Sequence, residues 1–237
     1  MKGKIIVIDG MDGTGKATQS KLLYKDLLNR GMKVKLFSFP NYESDSSYFV
    51  KKYLREGFTR DIKDPILHSI YYSIDRAITY AQEIKKYYED GYIIIMDRYI
   101  ISNPICQIHN YNDKTNIIDY LNNLTQIENS ILKLPKADLN IILYADPEVS
   151  NKLMDSRYAN KDSERDLNET LNLQRKFYSN INDICNIPMA EDILGTIFIR
   201  KIHSDGRNYF HIYTEEEMHI KIMQIINEEF HLYLDIE

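Results

Sequence analysis

The 237-residue chain has no tryptophan, two cysteines, six prolines and nine glycines. Each scarcity closes off a class. Cys106 and Cys185 cannot build a disulfide scaffold; they suit a reducing compartment, each read as a small buried hydrophobe. Little proline and glycine, with 43% hydrophobic and 27% charged residues, excludes collagen-like and disordered chains. Apolar runs such as Ile93–Met96 and Ile141–Ala145 fall far short of the roughly 18 residues a membrane span needs. The N-terminal run stops at Asp9, too early for a signal peptide. A cytoplasmic location with no membrane partner is expected. Basic residues are no excess, 30 Lys+Arg against 35 Asp+Glu and a net charge of −5, so a general nucleic-acid coat is not expected. The six histidines lack metal-ligand spacing and read as exposed structural residues.

Glycine is scarce but bunched. Average usage would give roughly 16, and of the nine present Gly10, Gly13 and Gly15 fall within six positions. They follow the apolar run Lys4–Ile8 and precede a helical pattern from Lys16 to Arg30. Further apolar runs at 33–39, 92–96, 139–145 and 196–202 alternate with helical patterns at 48–56, 116–132, from Pro147, at 167–182 and at 215–230. A short strand at 209–213 is expected beyond a turn at Asp205-Gly206. In the clearest helix, Asp64-Pro65 supplies an N-cap and first-turn proline, and Ile62, Ile66, Ile70, Ile74 and Ile78 recur at spacing four. Tyr72 and Arg76 lie four apart on the side away from that stripe. Strands separated by helices imply an α/β fold with a mostly parallel sheet covered on both faces. One domain over 1–237 is expected, with a polar, charge-dense flap near 155–166.

Gly10-Met11-Asp12-Gly13-Thr14-Gly15-Lys16, between a buried strand and a helix start, has the context of a P-loop. Glycines let backbone N–H groups turn toward an anion, the helix N-terminus adds partial positive charge, and Lys16 can reach β- and γ-phosphates. The next residue should carry a hydroxyl for Mg²⁺, yet it is Ala17, followed by Thr18. That weakens metal binding without abolishing it, because Mg²⁺ accepts waters and phosphate oxygens. Asp97-Arg98-Tyr99, directly after a buried strand, supplies a carboxylate able to hold a magnesium-bound water and a guanidinium able to clamp phosphate.

Over roughly residues 4–183 the chain resembles the thymidylate kinase family, in the order of its motifs: the P-loop with Asp12, Phe39-Pro40, Tyr72 with Asp75-Arg76, then Asp97-Arg98-Tyr99 with Ser102, Asn103 and Gln107. The resemblance implies a P-loop NTPase three-layer sandwich of about five strands, ATP and Mg²⁺ as cofactors, dTMP as acceptor and a homodimer. It implies that Arg76 and Arg98 hold the acceptor phosphate, Tyr72 stacks on the base, and Asn103 and Gln107 read the thymine edge. Asp12 would meet the sugar hydroxyl, Asp97 the metal through water, and Arg157, with Arg165, would act as arginine fingers from the flap. Tyr42 stands where the family carries an arginine two residues after Phe-Pro, a second weakened contact. A kinase for another deoxynucleoside monophosphate, a weakly catalytic nucleotide-binding module and a nucleic-acid-dependent ATPase are the rivals.

Overall fold

In a computed structural model, residues 2–110, 114–158, 169–187, 190, 194, 196–202 and 213–231 are described. Runs rich in isoleucine, leucine and valine form the strands β1 (Lys4–Gly10), β2 (Val34–Ser38), β3 (Ile93–Asp97), β4 (Leu139–Ala145) and β5 (Thr196–Ile202). All pair in parallel, in the order β2-β3-β1-β4-β5. Central β1 sits with Ile6 opposite Ile95 on one side and Leu139 on the other. Its apolar residues do not alternate with polar ones because both faces are covered. Ile5, Val7, Ile94 and Met96 pack on one face, and Ile6, Ile8, Ile93 and Ile95 on the other. Each such side chain contributes roughly 1.5–3 kcal/mol by leaving water.

The second face is covered by α1 (Lys16–Asn29), through Leu23 and Leu27, and by the C-terminal helix Glu215–Phe230, through Ile222 and Ile226. The first is covered by α5 (Ser102–Gln107), α6 (Lys114–Thr125) and α8 (Leu171–Cys185), which supply Ile105, Leu121 and Ile181, with α3 (Pro65–Thr79) and α4 (Lys85–Glu89) packed beside them. The short α2 (Tyr48–Lys51) packs on α3 through Val50 and Tyr71, and α7 (Pro147–Tyr158) adds Val149 to the second face. The C-terminal helix is α9, started by a capping box between Thr214 and Glu217. No described helix is long and apolar enough to cross a membrane.

The α3 helix begins as its sequence dictates: Asp64 accepts from the N–H groups of Ile66 and Leu67 at 2.9 and 3.1 Å, and Pro65 opens the first turn. Its isoleucine stripe, however, meets the core only through Ile66. Ile62, Ile74 and Ile78 are exposed, whereas Ser69, Ser73, Asp75, Arg76 and Thr79 are buried. Periodicity finds the two faces; the polar cavity beneath decides which one is inside. Two further expectations are corrected. His68 is buried rather than exposed, because it packs in the aromatic cluster of Tyr53 and Tyr71. Cys185 is exposed at the end of α8. Most of the flap, with Arg165, and the strand and turn expected at 205–212 lie outside the described residues. Arg157 belongs to the backbone of α7's last turn.

Candidate active site

The glycine cluster is a backbone requirement. Gly10, Gly13 and Gly15 adopt φ of 127°, 77° and 88°, a region L side chains avoid. At Gly10 the packing forbids a side chain too, since a Cβ would stand 1.8 Å from the Leu143 carbonyl oxygen. Thr14 turns inward and donates to the Met11 carbonyl at 2.7 Å. Lys16, almost fully buried, donates to the Met11 carbonyl at 2.5 Å and lies 3.5 Å from Asp12. Burial, reinforced by Arg98, lowers its pKa. Ala17 is exposed and Thr18 half-buried at the start of α1.

Asp12 joins the loop to the far side of the site. Its carboxylate pairs with Arg98, and its other oxygen accepts from Gln174 Nε2 at 3.0 Å. The Gln174 Oε1 in turn accepts the Asp12 N–H at 3.2 Å, and the Ser150 hydroxyl donates to the Asp12 carbonyl. Burial alone would raise the Asp12 pKa, but Arg98 and Lys16 overcome it and hold it at about 2. Arg98 has a left-handed φ of 70°, uncommon for a side chain of this size. Buried Asp9 holds that turn: it accepts from the N–H groups of Gly10 and Tyr99 and the Ser102 hydroxyl, and lies 3.8 Å from Arg98. Burial disfavours the charged guanidinium, yet Asp12 and Asp9 raise its pKa well above the usual value.

Asp97 ends β3 half-buried, with the Ser38 hydroxyl 3.4 Å from its Oδ2. Burial raises its pKa against the pull of Arg98 and Lys16. A carboxylate in this state gains from a nearby cation. Among the described residues no group of three or more His, Cys, Asp or Glu could hold a metal alone. The donor set therefore fits Mg²⁺, which keeps waters and takes few protein ligands, and not an ion that needs a full protein cage.

Beside this charged group opens a cavity whose walls include Asp12, Phe39, Pro40, Tyr42, Tyr72, Arg76, Arg98 and Asn103. Arg76 is fully buried against Glu128, which also accepts from Ser73 Oγ at 2.8 Å and Asn103 Nδ2 at 3.1 Å. Tyr42 faces the cavity with the Arg55 guanidinium 5.9 Å from its ring centroid. Asp75 accepts from the Asn41 N–H at 2.9 Å and from Ser46, fixing the loop that carries Tyr42 to α3. Gln107 is buried but is not brought to the wall; it hydrogen-bonds Tyr53.

Sequence reasoning missed several participants. Asp9 had a signal, a carboxylate closing an apolar strand. Glu128, Ser150, Gln174 and Phe177 had none, because their partners lie far away in the chain: Glu128 is 52 residues from Arg76 and Gln174 is 162 from Asp12. Cys106 also lines the cavity, its thiol pushed up to about 12 by burial, so it acts as packing and not as a nucleophile.

Residues 8–192 match the thymidylate kinase family profile. A thymidylate kinase of Caldicellulosiruptor saccharolyticus is 30% identical over 215 residues, 86% of this chain and 98% of its own. One from Brachyspira hyodysenteriae is 31% identical over 158 residues, 66% of this chain and 71% of its own. The solved structure of thymidylate kinase from Candida albicans superposes with a TM-score of 0.67 at 22% identity, covering 97% of this chain and 93% of that one, a likeness of fold.

Proposed function

The chain belongs to the thymidylate kinase family, and on that premise we propose how it moves the γ-phosphoryl group of ATP onto dTMP. The observation that carries the reading is the Asp12–Arg98 pair, which joins the P-loop to the wall of the acceptor cavity. ATP phosphates are taken by the loop N–H groups and the start of α1. Lys16, resting on the Met11 carbonyl, exchanges that neutral partner for a phosphate oxygen. Arg98 holds the acceptor phosphate. Tyr42 donates a hydroxyl beside it, and Arg55 near the Tyr42 ring restores positive charge there.

Arg76 takes a different part. Its charge is already matched by Glu128, so it suits a neutral base edge better than a second phosphate. Together with Asn103, held by the same carboxylate, it reads the base while Tyr72 and Phe39 pack on the ring. Asp12 offers its remaining lone pairs to the sugar hydroxyl. Asp97 would hold Mg²⁺ through water, and the ion would supply neutralisation of phosphate charge. Arg157 and Arg165 bring further positive charge from the flap. Catalysis is positioning and charge neutralisation, with no covalent intermediate.

The whole chain forms one domain, and two copies associate. Exposed Ile74 and Ile78, one turn apart on α3, support a dimer, since exposed apolar surface marks interaction faces. The free cysteines suit the cytoplasm. In a coupled assay, Lys16→Ala is expected to abolish dTMP-dependent ADP formation; retained turnover refutes the role of Lys16. A monophosphate panel in which dTMP ranks below another substrate refutes the acceptor assignment.

A further inference from the structure

A second cavity, of about 210 Å³, adjoins the acceptor cavity, and Cys106 and Phe177 form a wall common to both. Arg60, Lys63 and Lys176 line it together with His68 and His109, and no carboxylate is among its described lining residues. The cations converge from the loop before α3 and from α8, so no single helix pattern explains them. Asp64, next to Lys63 in the chain, is engaged in capping α3. Arg60 is braced, its Nε donating to the Tyr53 carbonyl at 3.2 Å. Like charges gathered around one small space repel each other, and an anion within it relieves the repulsion.

The histidines point the same way. His68 is only 3% exposed, and its Nε2 lies 3.0 Å from the Thr59 carbonyl. With Nε2–H donating there, Nδ1 is an acceptor, assigned by this hydrogen bond. That atom has no partner among the described residues, whereas the His109 ring hydrogen-bonds the Cys106 backbone. Burial, with Lys176 and Lys63 close by, brings the His109 pKa to about 4, so its ring is neutral near pH 7. Buried ring nitrogens of this kind are uncommon without a partner. A hydrogenphosphate-like group meets both needs: its charged oxygens face the cations, and its P–OH donates to an imidazole nitrogen.

We infer that this second cavity is a phosphate-binding subsite, separate from the P-loop and from the acceptor phosphate contact at Arg98. Its occupant is a phosphate group, carried either by a free oxyanion or by a nucleotide whose sugar extends past Cys106. The inference rests on the cavity's own residues and not on the identity of the acceptor base.

Two titrations distinguish the sources. In the first, inorganic pyrophosphate is titrated calorimetrically into full-length protein saturated with dTMP and a non-hydrolysable ATP analogue, so that the P-loop and acceptor site are filled. In the second, thymidine 3′,5′-bisphosphate is compared with dTMP as ligand of the wild type and of Asp12→Asn, the variant removing the repulsion between a 3′-phosphate and the Asp12 carboxylate. One saturable pyrophosphate site, or a bisphosphate affinity at least tenfold above that of dTMP, is expected. Lys63→Gln/Lys176→Gln should reduce that affinity at least tenfold while kcat and KM for dTMP stay within twofold, which also shows that the variant is folded. Response in the first titration identifies a free oxyanion, and in the second a nucleotide-borne phosphate. If the wild-type protein shows neither, or the double variant binds as wild type does, the subsite does not exist. Failure of dTMP turnover itself bears on the acceptor assignment and leaves these binding readouts intact.

Discussion

At the residue scale, two positions carry sharp expectations. Ala17 removes a hydroxyl from the metal side of the loop, a contact of the kind that contributes roughly 1.5–3 kcal/mol when a charge is involved. Ala17→Thr should therefore raise kcat/KM about 10- to 100-fold at limiting Mg²⁺, and less at saturation. An unchanged magnesium titration would mean that Asp97, Thr18 and water already suffice. Asp12 makes a pH prediction. Its pKa falls from 3.8 to about 2 on folding. A depressed carboxylate pKa stabilises the fold above the unfolded value, and that stability is lost as pH falls through the folded one. About 2 kcal/mol should disappear between pH 5 and pH 1.5. Urea unfolding across that window should show a steeper loss for wild type than for Asp12→Asn; equal slopes would refute the assignment.

At the element scale, α3 and the turn that continues α6 are joined by one buried ion pair. Arg76 and Glu128 are about 1% and 0% exposed, and Ser73 and Asn103 complete the carboxylate's partners. Removing one member leaves an uncompensated buried charge, so Glu128→Ala should destabilise by about 3–5 kcal/mol. Replacing the pair together by Arg76→Met/Glu128→Leu should cost less in stability while still abolishing base recognition. Chemical denaturation checks both; a loss below about 1 kcal/mol for Glu128→Ala would show that the pair is dispensable. The same pair shows why sequence reading stopped short on α3. The periodicity of Ile66, Ile70 and Ile74 separates two faces correctly, but burial belongs to the polar face because Glu128 arrives there from another helix.

At the scale of the whole molecule, the exposed isoleucines predict assembly. Ile74→Glu/Ile78→Glu places two charges on that face without touching the cavity, since both residues are exposed. If the proposed dimer uses this face, sedimentation should report a monomer for the variant and a dimer for the unaltered chain. A species of unchanged mass would direct the interface elsewhere. The molecule also brings together parts that lie apart in the chain. The P-loop is gripped from α7 by Ser150 and from α8 by Gln174, so movement of either helix reaches Asp12 and, through it, Arg98.

What the sequence determined by itself is local: the five apolar runs that become parallel strands, the glycines that allow left-handed backbone at Gly10, Gly13 and Gly15, the Asp64-Pro65 helix start, and the order of motifs that leads to the family. These depend on neighbours within a few residues, or on a strand's need to be apolar on both faces. Only the tertiary structure decided that Arg76 is neutralised by Glu128, that Asp9 holds the Arg98 turn, that Gln107 hydrogen-bonds Tyr53, and that Ile74 and Ile78 are exposed. The reason is physical. Charge compensation in a low-dielectric interior pairs groups by distance in space, and nothing in the spacing of residues along a chain records which distant carboxylate will fill the gap beside a buried guanidinium.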